Sequence, residues 1–480
     1  MSAAPSPGSS AARDVPVDPN ALAAAVWPAG AHRDGAGELV LGGVAATELA
    51  ARFGTPLYVM DESEVREHAR RARAAFETAA AAHGTAARVY YAGKAFLSTE
   101  IVRWVTAEGL GVDVASGGEL AIAIAGGADA AALGFHGNNK SVAELERALD
   151  LGVGSIVVDS HIEIERLAAL TARADAGHTG PQTVFVRVNS GVHAETHSFL
   201  ATAHEDQKFG FALHDAPAAV ARIREIPGLR FGGLHSHIGS QIFGVAGFRE
   251  AAARLIDLHA ALLEGGEVPA LNLGGGFGIA YTEADEPTDI ADLAAAIVGA
   301  VAEECAARGV PVPRLAFEPG RSIVGQAGVT LYEVGTVKPV HLESGVDRLY
   351  VSVDGGMSDN ARTALYGAQY SARLASRTST AVAALSRVVG KHCEAGDIVV
   401  DLEYLPRDVA PGDLLAVPAT GAYCYSLASN YNAVPRPPVV AVRDGEARLI
   451  VRGENVDDLL ARDVGAAPRP ADASTKGPHA

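Results

Sequence analysis

Lys94 closes an apolar, aromatic run, YYAGKAF. An ammonium group placed there must be paired, exposed or lowered in pKa, and such a lysine can form a Schiff base with a carbonyl compound. Taken alone, the motif also fits an ordinary loop lysine. The GxxxxGK[ST] spacing of a Walker-type phosphate loop is missing. LNLGGGFG (271–278) puts Gly274, Gly275 and Gly276 directly after a strand-like run, which lets backbone N–H groups approach a phosphate without side chains in the way. HSHIGSQ (235–241) offers imidazole and hydroxyl together; His235 and His237 read either as satisfied core histidines or as a metal-ligand pair. EPGRS (318–322) sets the carboxylate of Glu318 near the guanidinium of Arg321. The bland reading is a surface ion pair. Against a pyridine-type ring, the carboxylate would keep the ring nitrogen protonated so that the ring accepts electrons from a carbanion, and the guanidinium would hold a substrate carboxylate.

These groups need a scaffold that brings them together. Between about Thr55 and Gly320, short apolar runs alternate with Ala-rich stretches of helical period, the pattern of repeated βα units. The strand candidates are 88–94, 111–116, 132–137, 155–160, 183–189, 231–237, 270–276 and 314–320. Eight such units predict an α/β fold, a (β/α)8 TIM-type barrel over 51–322, with reactive groups at the C-terminal ends of its strands. Lys94, Asp113, Asn138, Asp159, Arg187, His237 and Glu318 all lie at or just past those ends. Beyond this stretch the helical rhythm stops, and runs such as RLYVSVDGG and DIVVDLEYL predict an antiparallel β domain over 323–460. The segment 25–50, which contains GELVLGGVAA (37–46), is expected to pair into that domain. The Ala-, Pro- and Ser-rich ends, 1–24 and 461–480, are expected to be disordered.

Composition narrows the partners. Of 480 residues, 48% are hydrophobic and 20% charged, a balance that allows a large core, and the net charge of −18 argues against nucleic acid or an anionic membrane as the main partner. Cys305, Cys393 and Cys424 make neither a disulfide framework nor a zinc motif, which favours a reducing compartment. With no signal-peptide pattern and no apolar run of about 18 residues, a cytoplasmic protein with a small-molecule ligand is expected.

YYAGKAF, HSHIGSQ, LNLGGGFG, EPGRS, DGGMSDNARTALYGA (354–368), HCEAGD (392–397) and GAYCYSLASNYN (421–432) together resemble the diaminopimelate decarboxylase family. That family belongs to the barrel-fold pyridoxal-phosphate group that also holds ornithine decarboxylase and alanine racemase. The similarity runs from about Val40 to Asn455; one departure is CEAGD where the family pattern reads CESGD. The resemblance implies pyridoxal 5'-phosphate bound covalently to Lys94, with His237 stacked on its ring and Glu318 at its ring nitrogen. It further implies that Ser240, Gly274, Gly275, Gly276, the Glu318, Pro319, Gly320 and Arg321 turn and Tyr423 surround the phosphate. Arg321, Arg362, Tyr366, Glu394 and Tyr423 would contact the substrate, meso-diaminopimelate. Cys393 and Glu394 would come from the other subunit of a homodimer, with Cys393 or Lys94 returning a proton to the reacting carbon. No metal is expected.

Several alternatives remain open from sequence. Ornithine decarboxylase carries an aspartate after its reactive cysteine, so Glu394 favours diaminopimelate over an ornithine- or arginine-type substrate. Alanine racemase would need a tyrosine base and no cysteine motif. A metal-dependent barrel hydrolase would use His235 and His237 but lacks a second close pair of ligands. A non-catalytic relative would have lost the lysine or the cysteine, and both are present.

Overall fold

β-Branched runs such as GVDV and SIVV are buried at every position, which a sheet permits only when both of its faces are covered. The computed structural model, which describes residues 15–173, 180–192 and 208–466, covers them by closing the sheet on itself. Eight strands, Ala87–Ala92, Gly111–Val114, Leu133–Phe135, Ser155–Val158, Gln182–Asn189, Leu229–His235, Ala270–Asn272 and Arg314–Phe317, pair in parallel in that order, and the last pairs with the first. The predicted barrel is present, one strand for each candidate run.

Its helices begin where serine can cap them. Ser98, Ser116 and Ser141 accept hydrogen bonds from the backbone N–H groups of Ile101, Glu119 and Glu144, opening the helices Thr99–Ala107, Gly117–Ala125 and Val142–Leu151. Ser141 and Glu144 form a reciprocal capping box. Gly152 and Gly309 stop their helices in the left-handed conformation. The ring is completed by Glu62–Ala82, a helix that precedes the first strand rather than following the eighth. Its Phe76 stacks on Phe317 of the eighth strand, with ring centroids 3.9 Å apart, and also meets Phe277 of the glycine turn.

The second domain is mostly, not wholly, antiparallel. Asp347–Val353 runs parallel to Ala383–Val389, and Val439–Arg443 runs parallel to Leu57–Asp61. Leu57–Asp61 falls in the stretch assigned from sequence to the barrel. The structure inserts it between Gly328–His341 and Val439–Arg443, where all five of its residues are buried. The segment 37–46 instead forms a small sheet with His32–Arg33. It meets the β domain through the Leu39 N–H, which donates to the Ala375 carbonyl at 2.8 Å. Of the ends expected to be disordered, residues 1–14 and 467–480 lie outside the described residues. Among the described residues, no helix is long and apolar enough to cross a membrane.

Candidate active site

The C-terminal mouth of the barrel gathers a buried polar cluster around Glu318. Its backbone N–H donates to the Gly274 carbonyl at 2.8 Å, which fixes the end of the eighth strand against the glycine turn of the seventh. Its Oε1 accepts from Asn272 Nδ2 at 2.6 Å and lies 3.2 Å from His235 Nε2 and 3.3 Å from His136 Nε2. His136 Nε2 is also 3.2 Å from Oδ1 of a second carboxyl, Asp113. Burial alone pushes a carboxyl pKa up. At Glu318 the facing His136 and His235 rings and the Lys94 ammonium overcome it, holding the group well below the usual carboxylate range. Burial, and then the charge of Glu318, hold Asp113 well above that range. Burial likewise keeps both histidines below their ordinary pKa. The two acids are thereby driven in opposite directions.

Lys94 sits directly above, exposed, in the one-turn helix Gly93–Ala95 that follows the first strand. The EPGR turn locks onto that strand end. The Pro319 carbonyl accepts from the Ala92 N–H at 3.1 Å, and a Cβ on Gly320 would lie 3.0 Å from both Ala92 Cβ and its carbonyl oxygen.

In the glycine turn, Asn272 Oδ1 accepts from the Gly274 N–H at 2.9 Å, and the Gly275 N–H donates to His237 Nδ1 at 3.3 Å. Any side chain there would collide: a Cβ on Gly275 would lie 2.1 Å from the Glu318 carbonyl oxygen, and one on Gly276 2.4 Å from that of Gly239. His237, half-buried, is held well below its ordinary pKa by burial and by Lys94.

On the other side of the mouth, Arg321 donates from Nη2 to Ser240 Oγ at 2.9 Å and from Nη1 to the Tyr281 hydroxyl, and its guanidinium lies 4.7 Å from the Tyr423 ring centroid. Arg362 lies 4.6 Å from the Tyr281 ring centroid and donates to the Tyr370 hydroxyl at 2.5 Å. Two buried guanidinium groups thus flank one tyrosine ring. Cys424, beneath them, is pushed up to about 11 by burial. Tyr423, with a left-handed φ of 64°, donates its N–H to the Ala95 carbonyl at 2.7 Å, and Ser426 Oγ donates to the same oxygen at 2.8 Å. A loop of the β domain therefore sits beside Lys94.

Three residues singled out from sequence are not part of this cluster. Tyr366 is 67% exposed, and Cys393 and Glu394 are exposed on the loop 391–397. That loop is pinned by Asp397, which takes the His392 N–H at 2.7 Å and the Met357 N–H at 2.6 Å. The Cys393 N–H donates to Asn432 Oδ1 at 2.9 Å.

Pairing His235 with His237 as metal ligands does not match the geometry. The sixth strand ends at His235, and the chain then turns, sending His237 to the glycine turn while His235 faces His136 and Glu318. The ligand atoms of His136, His235 and Glu318 lie within 4.8 Å of one another, as a divalent cation would also require. Oε1 of Glu318, however, already accepts the Asn272 amide N–H. Sequence reasoning gave no role to His136, Asn272, Tyr281 or Tyr370. His136 and Asn272 lay inside runs read as strands or for their glycines, and Tyr281 and Tyr370 carried no local signal.

Residues 62–325 match the family model of the pyridoxal-dependent decarboxylases, pyridoxal binding domain. Diaminopimelate decarboxylase of Mycobacterium tuberculosis is 52% identical over 452 residues, covering 92% of this chain and 98% of that protein. The chain belongs to the diaminopimelate decarboxylase family. The Bacillus subtilis member is 45% identical over 438 residues, covering 89% of this chain and 95% of its own. The crystal structure of the M. jannaschii family member in co-complex with L-lysine superposes with a TM-score of 0.82 at 32% identity, covering 90% of this chain and 97% of that one. The cluster fits the group this family model is named for: a primary amine, a buried carboxyl, a side-chain-free turn, a hydroxyl and a guanidinium face one mouth.

Proposed function

We propose that this chain decarboxylates meso-2,6-diaminopimelate to L-lysine and carbon dioxide, the last step of lysine biosynthesis, with pyridoxal 5'-phosphate at the barrel mouth. The observation that carries the reading is Glu318, buried among Asn272, His235 and His136 and held well below the usual carboxylate range. When bound, the cofactor supplies an electron sink conjugated to the substrate amine. Lys94 supplies the amine that holds it covalently. Glu318 would hold a proton on the ring nitrogen, and His237 would stack on the ring. Ser240, Gly274, Gly275 and Gly276, the turn Glu318, Pro319, Gly320 and Arg321, and Tyr423 would bind the phosphate.

At that site the bond from the reacting carbon to its carboxylate would break with loss of carbon dioxide, the cofactor supplying the sink for the electron pair. Cys393 Sγ, or Lys94 Nζ, then delivers a proton to that carbon. Cys393 and Glu394 reach the site from a second copy of the chain in a homodimer; this reading is supported by their exposure on the loop 391–397. Arg321, Arg362, Tyr366, Glu394 and Tyr423 contact the substrate, whose two carboxylates and distal amine suit two positive charges and one negative.

Carbon dioxide release at equal amino-acid concentrations tests the substrate. Ornithine, arginine and lysine lack the distal carboxylate and would leave a desolvated guanidinium unpaired, at a cost on the order of 1 to 3 kcal/mol or more. Release from meso-diaminopimelate is expected to be at least about a hundredfold more efficient, the upper part of that range. Comparable release from ornithine would overturn the assignment in favour of a polyamine-type decarboxylase.

A further inference from the structure

Glu318 is held in a way that the proposed chemistry requires but does not by itself explain. Its Oε1 faces three donors from three strands: Asn272 at 2.6 Å, His235 at 3.2 Å and His136 at 3.3 Å. Of these, Asn272 hydrogen-bonds Oε1, whereas the His235 imidazole is hydrogen-bonded to Oε2 at 3.4 Å. Each oxygen thus has one partner, and His136 stands close by. We propose that His136 and His235 are positioning residues: with their Nε2 atoms set against its oxygens, they fix the Glu318 side chain and keep it anionic towards the ring nitrogen of the cofactor. This rests on the function proposed above.

The argument turns on the neighbouring acid. Asp113 lies on the next strand but one from Glu318 around the barrel, and His136 Nε2 stands between the two carboxyls, 3.2 Å from one and 3.3 Å from the other. A neutral imidazole has one N–H to give there. Glu318 has the Asn272 amide and the His235 imidazole as hydrogen-bond partners, whereas Oδ1 of Asp113 is buried without one. Two buried carboxylates so close cannot both ionise without large repulsion. The uneven supply of donors therefore puts the charge on Glu318 and the proton on Asp113. Without either imidazole, the advantage of Glu318 over Asp113 would shrink. The remaining charged or titratable groups around the two acids are Tyr90 from the first strand, Lys94 just beyond it, Arg187 from the fifth, His237 beyond the sixth, and Glu119, which faces Asp113 and further disfavours its ionisation. Lys94 and Arg187 favour either carboxylate over its neutral form, so they do not choose between the two.

The test compares His136→Leu and His235→Leu with His136→Gln and His235→Gln, whose amides can still donate. Each holoenzyme is reconstituted with cofactor labelled with 15N in the ring. The leucine substitutions should lower kcat at least about tenfold while KM for meso-diaminopimelate moves less than about threefold. They should also move the ring 15N resonance towards the unprotonated position. Because the carboxyl pKa rises when donors are lost, the acid limb of the kcat profile should shift to higher pH, by about one unit or more. The glutamine substitutions should restore all three towards wild type. A wild-type ring resonance and acid limb in the leucine proteins would overturn the proposal, whatever their kcat. Should the leucine proteins not fold, wild-type holoenzyme labelled with 15N in histidine decides, its signals assigned through the glutamine variants. Both rings are expected as the neutral Nε2–H tautomer, and an Nδ1–H tautomer at either would overturn the proposal. Failure of the underlying functional reading looks different, since wild-type protein would then release no carbon dioxide from meso-diaminopimelate.

Discussion

Glu318 and Cys393 occupy opposite kinds of place. Glu318 is buried among donors from three barrel strands, every one supplied by its own chain. Cys393 is exposed on a loop whose anchors, His392 and Asp397, hold the loop's shape and leave the thiol facing outward. The contrast teaches where each part of the chemistry can be built. Charge control on a ring needs a dry, crowded pocket, because hydrogen bonds and ion pairs strengthen as water is removed. A proton donor that must meet a substrate entering from solvent can sit on a surface, provided another surface closes over it.

The sharpest way to break the comparison is at Lys94. Lys94→Ala is expected to abolish carbon dioxide release, and mass spectrometry of the borohydride-reduced wild-type holoprotein should find the cofactor on the Lys94 peptide. Label on another lysine would move the centre of the barrel site. A smaller effect is expected from Glu318→Gln, which should leave the cofactor bound, as seen in its absorbance, but cut turnover by at least about tenfold. Losing the charge weakens the electron sink by more than about 1.4 kcal/mol. Unchanged turnover would mean that the buried cluster serves the fold and not the ring.

The loop side of the comparison carries the smallest expected signal. Lys94→Ala and Cys393→Ala proteins, each nearly inactive, should regain about a quarter of wild-type activity when mixed, since about half of randomly exchanged dimers are mixed and one of their two sites is intact. Native mass spectrometry must first show that subunits exchange. If they do and activity stays flat, the two residues act within one chain.

The eight barrel strands were legible because each is an apolar run bounded by a helix of different period, a signal contained within a few residues. Leu57–Asp61 was not read as a strand of the β domain. It lies some 270 residues from the strand Gly328–His341 that it joins, and sequence periodicity carries no information about such distant partners. The same holds inside the site. Lys94, Glu318 and Arg321 stood out because each ends a strand or opens a turn. Asn272 lay unnoticed between two leucines although its amide bridges Glu318 and Gly274. Tyr281, which both guanidinium groups approach, sits in a loop with no strand end to mark it.

The Ala95 carbonyl, which takes hydrogen bonds from Tyr423 and Ser426, bears on modularity. Residues 62–325 match one family model, yet the mouth is not theirs alone. An excised barrel would keep Lys94 and Glu318 and lose Tyr423 beside Arg321, the loop beside Lys94, and Arg362. The mouth is a joint between two domains, so a change in either alters its walls.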